Sequence, residues 1–186
     1  MTFEKLSIDG LLLMKPRIFR DNRGYFFESF RQKDFEDAVG QKVNFVQENE
    51  SRSSFGVLRG LHLQKGDDSQ AKLVRCVRGR IIDIAVDLRK GSSTFGQYEA
   101  VELSEDNHFE FFVPRHFAHG YIVLSEEAVF QYKVDNLYAP QSECCISYDD
   151  PDIDIAWSEL APYVETFNMS SKDQNGISLK EYIDQN

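Results

Sequence analysis

KLVRCVRGRIIDIAVDL, residues 72–88, is the stretch that decides the fold class. Leu73, Val74 and Val77 precede Arg78-Gly79-Arg80. Beyond that point Ile82, Ile84, Val86 and Leu88 alternate with Asp83, Ala85 and Asp87. A repeat of two is the repeat of a β-strand, whose successive side chains point to opposite faces. The glycine between two arginines interrupts the run, so the segment reads as a hairpin or a bent pair of strands.

Tyr98–Leu103, Phe109–Val113, Tyr121–Leu124 and Ala128–Val134 are further short strand candidates. Lys90-Gly91-Ser92-Ser93 and Glu105-Asp106-Asn107 are turn signals between them. Such a succession predicts an all-β fold, a sandwich or β-barrel of the jelly-roll kind. Helices are short and peripheral: one over Arg31–Val39, stopped by Gly40, and one over Ser178–Asp184.

The chain of 186 residues is long enough for one domain with its own core, and it shows no repeat or low-complexity linker. With 41% hydrophobic and 28% charged residues it belongs with globular chains. No apolar run approaches the roughly 18 residues of a membrane span. The opening MTFEKLSIDG lacks the apolar stretch of a signal peptide, so a soluble cytoplasmic protein is expected. Cys76, Cys144 and Cys145 form no CxxC and read as free thiols. A net charge of −10 argues against nucleic-acid binding but leaves room for a small anion held by clustered Arg and Lys.

Neither GxGxxG nor GxxxxGK[ST] occurs, so no dinucleotide or P-loop site is expected. Of the four histidines only His116 and His119 are close, without a flanking Glu, and no metal site is expected. His108 and His116 read as surface histidines. His62 lies in GVLRGLHLQ, residues 56–64, with Arg59 three positions before it. On a strand it shares a face with Gly60, which leaves room for a ligand, and Gln64. Locally it is either a ligand-facing group or a core histidine bonded to a carbonyl. Lys72 is either the last solvated residue before a strand or a cation aimed into a cavity. Tyr132, on the face of Phe130 and Val134, reads unaided as a core tyrosine. Gln47, Asn49 and Ser51 share one face, an amide-rich surface suited to hydroxyls or a base. Phe26 and Glu28 share another, with Arg23 just upstream.

Taken together, these segments resemble the dTDP-4-dehydrorhamnose 3,5-epimerase family, the cupin-like dTDP-sugar epimerases. The resemblance is collinear. It runs through residues 16–24 (PRIFRDNRG), Gln47-Glu48-Asn49, GVLRGLHLQ, residues 71–79 (AKLVRCVRG) and Val86-Asp87-Leu88-Arg89. It continues through Ser93-Thr94-Phe95-Gly96, Val113-Pro114, Phe117-Ala118-His119-Gly120, Tyr138-Ala139-Pro140, Asp149-Asp150-Pro151, Ile155-Ala156-Trp157 and Ser171-Lys172-Asp173. Single motifs are weak; the ordered set, with His62 and Lys72 ten positions apart, is specific.

The resemblance implies one cupin-like jelly roll over residues 1–186, with residues 170–186 as a tail carrying Lys172 and Asp173. It implies a homodimer without cofactor, acting on a dTDP-4-keto-6-deoxy sugar. It assigns His62 as general base, Asp173 as its carboxylate partner, Tyr132 as general acid and Lys72 as the cation near the C4 oxygen. Arg23, Glu28, Gln47, Glu48, Asn49, Arg59, His119, Glu143 and Lys172 fall at substrate contacts, and Phe26 and Tyr138 where aromatics flank the base. His116 departs from an expected Gly and Leu63 from a frequent aromatic. The chemistry needs these types. A carbon acid beside a ketone needs a base of pKa near working pH, a donor for the enolate oxygen and a proton source on the other face. A cation near Tyr132 is expected to lower its pKa, and arginines suit a diphosphate. An epimerase of C3 alone or C5 alone, a keto-isomerase, a non-catalytic sugar-nucleotide barrel and a metal-dependent cupin are the alternatives.

Overall fold

The first strands are β1 (Thr2–Lys5), β2 (Leu12–Lys15), β3 (Phe19–Asp21) and β4 (Gly24–Phe26). After helix α1 (Gln32–Val39) come β5 (Gln47–Ser54), β6 (Leu58–Gln64), β7 (Lys72–Arg78) and β8 (Arg80–Asp87). Then follow β9 (Tyr98–Ser104), β10 (Glu110–Val113), β11 (Phe117–Val123), β12 (Glu127–Val134) and β13 (Glu143–Cys145). Short helices α2 (Trp157–Leu160), α3 (Ser171–Gln174) and α4 (Leu179–Asp184) complete the chain. This is a computed structural model, and it describes residues 1–185.

Two antiparallel sheets result, in the orders β1-β2-β10-β7-β12-β5 and β13-β6-β11-β8-β9. The fold is all-β and cupin-like. Strands β7 and β8 lie in different sheets, so residues 72–88 are a bent pair and not a hairpin. The bend is at Gly79, whose φ is 77°. A Cβ there would sit 2.1 Å from the Glu127 carbonyl oxygen, so only glycine lets the chain cross between sheets.

Both faces of each sheet are covered. Between the sheets lie Val74, Cys76, Ile81, Ala85, Leu103, Phe111, Phe117 and Phe130. Ile82, Ile84 and Val86 face outward and pack with Leu58, Leu61 and Leu63 under Ile146, Ile153, Leu179 and Tyr182 of the C-terminal segment. The acidic face of β8 therefore looks inward. On the other side Leu12, Met14, Leu73 and Phe112 lie under Phe35 of α1. That helix stops at Gly40 in the left-handed conformation, and α4 begins with a reciprocal Ser178–Glu181 capping box. Among the described residues no helix is long and apolar enough to cross a membrane.

Strands β3 and β4 form a separate ribbon of exposed residues. His108 corrects the expectation of a surface histidine. It is 5% exposed, because Tyr25 and Phe27 cover it with ring centroids 4.7 and 4.8 Å away. His116 is exposed, as expected.

Candidate active site

Strand β6 runs between β13 and β11, and His62 stands opposite Cys145 on one side and His119 on the other. Opposed residues of an antiparallel pair share a face. The register slips between His119 and Tyr121, which puts Arg59 opposite Tyr121. Arg59 thereby joins the face of His62, a placement that simple alternation does not give. Gly60 leaves no room for a ligand, contrary to expectation, because the adjacent strand fills the space. A Cβ there would lie 2.6 Å from Gly120 Cα and 2.8 Å from the His119 oxygen, at φ 124°. Gly60→Ala must push β11 away from His62. The expected cost of about 2 kcal/mol lowers the thermal midpoint by roughly 4–8 °C, as calorimetry would show.

Asp173 reaches His62 across 111 positions of sequence, Oδ1 to Nε2, at 2.7 Å. Ser170 makes this possible: its hydroxyl accepts from the Asp173 N–H at 3.2 Å, starting α3, and donates to Oδ2 at 2.5 Å. The Gly60 N–H donates to Oδ1 at 3.1 Å. Burial raises the Asp173 pKa, but the donors from Ser170, Gly60 and His62 outweigh it and hold the group below the usual carboxylate range. His62 moves the other way. Burial, then the charge of Lys72, lower its pKa against the pull of Asp173, so the neutral imidazole is favoured. Its Nδ1 has no hydrogen-bond partner among the described residues. A neutral imidazole oriented by a carboxylate is what a base requires.

Lys72 is 8% exposed, and its ammonium donates to the His62 carbonyl at 3.3 Å. Burial pulls its pKa down to about 8, while Asp83 and Glu143 oppose the shift. The group is charged below that value and neutral above it. If it steadies a developing oxyanion, kcat/KM falls as pH rises through about 8, and a pH–rate profile reads this directly.

Asp83, not singled out from the sequence, is fully buried and bonds His119 Nε2 at 2.8 Å. Burial raises its pKa, and its second oxygen has no hydrogen-bond partner among the described residues. Its only sequence signal is an acid alternating with isoleucines.

Tyr132 stands opposite Asn49 and Val74. Burial, then Tyr121, raise its pKa, and Arg59 and Asn49 offset only part. Arg59 lowers it as a nearby cation should, but desolvation dominates and the net shift is upward; the phenol keeps its proton and is a donor. Tyr121 bonds Ser51 at 3.0 Å, and Arg59 donates to Ser53 at 3.1 Å. Arg59 lines both the cleft of His62, Lys172 and Asp173 and the cleft of His119, Phe130 and Tyr132.

Other expected residues form the rim. Lys172 pairs with Glu143, whose Oε2 accepts from the Tyr138 hydroxyl at 2.9 Å. Gln47 donates to Asn49 at 2.9 Å and accepts from the Tyr138 N–H at 3.3 Å. Four are not brought in. Glu48 points to the opposite face of β5 and pairs with Lys133 at 3.0 Å. Arg23 pairs with Asp21 at 2.6 Å, Phe26 is 70% exposed on the β3–β4 ribbon, and Glu28 pairs with Arg31 at 3.0 Å.

A shielded imidazole, an ammonium of modest basicity and a protonated phenol suit moving protons on and off an acidic carbon, the business of an isomerase on a jelly roll. Comparison with known proteins specifies which. The profile of the dTDP-4-dehydrorhamnose 3,5-epimerase family matches residues 5–181. The enzyme of that name from Escherichia coli K12 is 45% identical over 183 residues, 98% of this chain and 97% of its own. The crystal structure from Elizabethkingia anophelis NUHP1 aligns with TM-score 0.91 at 48% identity, covering 97% of both chains. The Legionella pneumophila dTDP-6-deoxy-D-glucose-3,5-epimerase, solved in complex with dTDP-4-keto-L-rhamnose, aligns at 0.90 with 44% identity over 96% of this chain and 93% of that one. This chain belongs to the dTDP-4-dehydrorhamnose 3,5-epimerase family.

Proposed function

We propose that the chain epimerises C3 and C5 of dTDP-4-dehydro-6-deoxy-D-glucose, giving dTDP-4-dehydro-L-rhamnose in dTDP-L-rhamnose biosynthesis. The observation that carries the mechanism is the His62–Asp173 bond of 2.7 Å with the Lys72 ammonium beside it. His62 takes the proton from a carbon next to the C4 ketone, and Asp173 steadies the imidazolium. The charge moves to the C4 oxygen, where Lys72 supplies a preorganised donor; one such donor is worth about 3 kcal/mol. Tyr132 returns a proton to the opposite face and inverts the centre. Arg59 and Arg23 suit the diphosphate, Phe26 and Tyr138 the base, and Gln47, Asn49, His119, Glu143, Glu28 and Lys172 the remaining polar groups. Only backbone atoms of Glu48 suit the cleft, since its side chain faces away. The reaction needs no resident cofactor. A cytoplasmic setting goes with this reading, because three free thiols suit a reducing compartment.

One base–acid pair can serve either carbon, so stereochemistry is the test. NMR with dTDP-4-keto-6-deoxyglucose in deuterated water is expected to show exchange and inversion at both C3 and C5. Inversion at one carbon alone replaces this reading with a mono-epimerase.

The working unit is proposed to be a homodimer in which Arg23, Phe26 and Glu28 complete the partner's site. In support, the β3–β4 ribbon pairs with neither large sheet and exposes Phe19, Tyr25 and Phe26 together. Light scattering at micromolar concentration is expected to give twice the 21.5 kDa chain mass. A fully active monomer rejects the dimer.

A further inference from the structure

Cys145 takes no part in the chemistry above, yet the β13–β6 register sets it directly opposite His62. One ligand atom from each of His62, Cys145 and Asp173 lies within 4.8 Å of the other two. The three residues come from β6, β13 and α3, so the fold and not local sequence assembles them. Imidazole nitrogen, thiolate sulfur and carboxylate oxygen are the donors that tetrahedral zinc takes. Bond lengths of about 2.0–2.3 Å set such donors roughly 3.3–3.8 Å apart. The dyad must open from 2.7 Å and the thiol draw in, each by side-chain adjustment of about an ångström. The adjoining cleft, lined by Ser170 and Lys172, leaves a fourth position for water.

The surroundings of Cys145 favour a cation over a reactive thiol. Its nearest polar contact is a weak one, 3.7 Å to the Ile146 carbonyl. Asp173 and Glu143 act electrostatically on the thiol, and Lys172 acts against them. The two carboxylates attract a divalent cation. Cys144 projects to the opposite face, into the outer core, and Cys76 lies between the sheets.

We propose that His62, Cys145 and Asp173 form an inhibitory site for a thiophilic divalent cation of the Zn²⁺ class, which occupies the base and stops turnover. On binding, the S–H bond breaks, its proton goes to solvent and the sulfur–metal bond forms; nothing is oxidised or reduced. The inhibition rests on His62 acting as the base, whereas the binding does not.

The experiment uses the EDTA-stripped full chain, which is expected to be active. Cd²⁺ titration should give a thiolate-to-metal charge-transfer band at one metal per chain, and Zn²⁺ should abolish turnover. Cys145→Ala and Cys145→Ser are expected to keep metal-free turnover within about twofold, lose the band and need at least about tenfold more Zn²⁺ for half-inhibition. Cys144→Ala is expected to behave as the parent. A band and inhibition unchanged in both Cys145 variants overturn the proposal. A band that requires Cys145, without inhibition at saturating Zn²⁺, overturns its inhibitory half. Failure of the epimerase reading shows separately, as absent deuterium exchange in the metal-free parent.

Discussion

His62→Asn loses deuterium uptake and epimerisation together, by about 10²–10⁴-fold or more, the share that a positioned general base contributes. Asparagine keeps a polar side chain on β6, so the β6–β11 rung opposite His119 survives, but its shorter amide does not reach the position from which Nε2 bonds Asp173. What it lacks is a basic lone pair. In the proposed mechanism every later step needs the carbanion that His62 generates, so exchange and inversion are expected to fall together in this variant. Retention of dTDP binding by calorimetry assigns the loss to chemistry. Full activity in His62→Asn removes the mechanism altogether. Asp173→Asn probes the same dyad less severely, because the base remains and only its orientation and the charge beside its imidazolium are lost.

The extents of β9, β10 and β12 were legible: each begins and ends within a residue of the expected segment. β11 was not: it starts at Phe117, four residues before the expected Tyr121, because Phe117-Ala118-His119-Gly120 is buried on both faces and has no alternation to read. Alternation also separates Gln47 and Asn49 from Glu48 on β5, which the family resemblance groups together. The inward direction of Asp83 was hidden for a related reason. With both faces of the sheet covered, the isoleucine side of β8 packs outward on the C-terminal segment and the acidic side is buried between the sheets. Asp173 was found through resemblance alone, since a four-residue helix has no periodicity to detect. The rung Cys145–His62–His119 depends on register, and register here passes through a slip next to His119 that no spacing announces.

Tyr132→Phe separates exchange from inversion. The substitution keeps the ring that lies 5.6 Å from Phe130 and deletes only the hydroxyl beside Asn49 and Arg59. His62 and Asp173 are untouched, so deprotonation continues in part and Lys72 still holds the enolate. The phenol is the group whose burial keeps it protonated, and in the proposed mechanism it is the donor on the opposite face. The imidazolium then returns a proton to the face it came from. Before doing so it trades that proton with solvent, so deuterium enters with configuration retained. In deuterated water, NMR is expected to show uptake at C3 or C5 outlasting epimerisation, with inversion suppressed by about 10²-fold or more. Equal loss of both, with substrate binding intact, assigns Tyr132 to the deprotonation step instead and leaves the second proton to another donor in the cleft of Arg59 and His119.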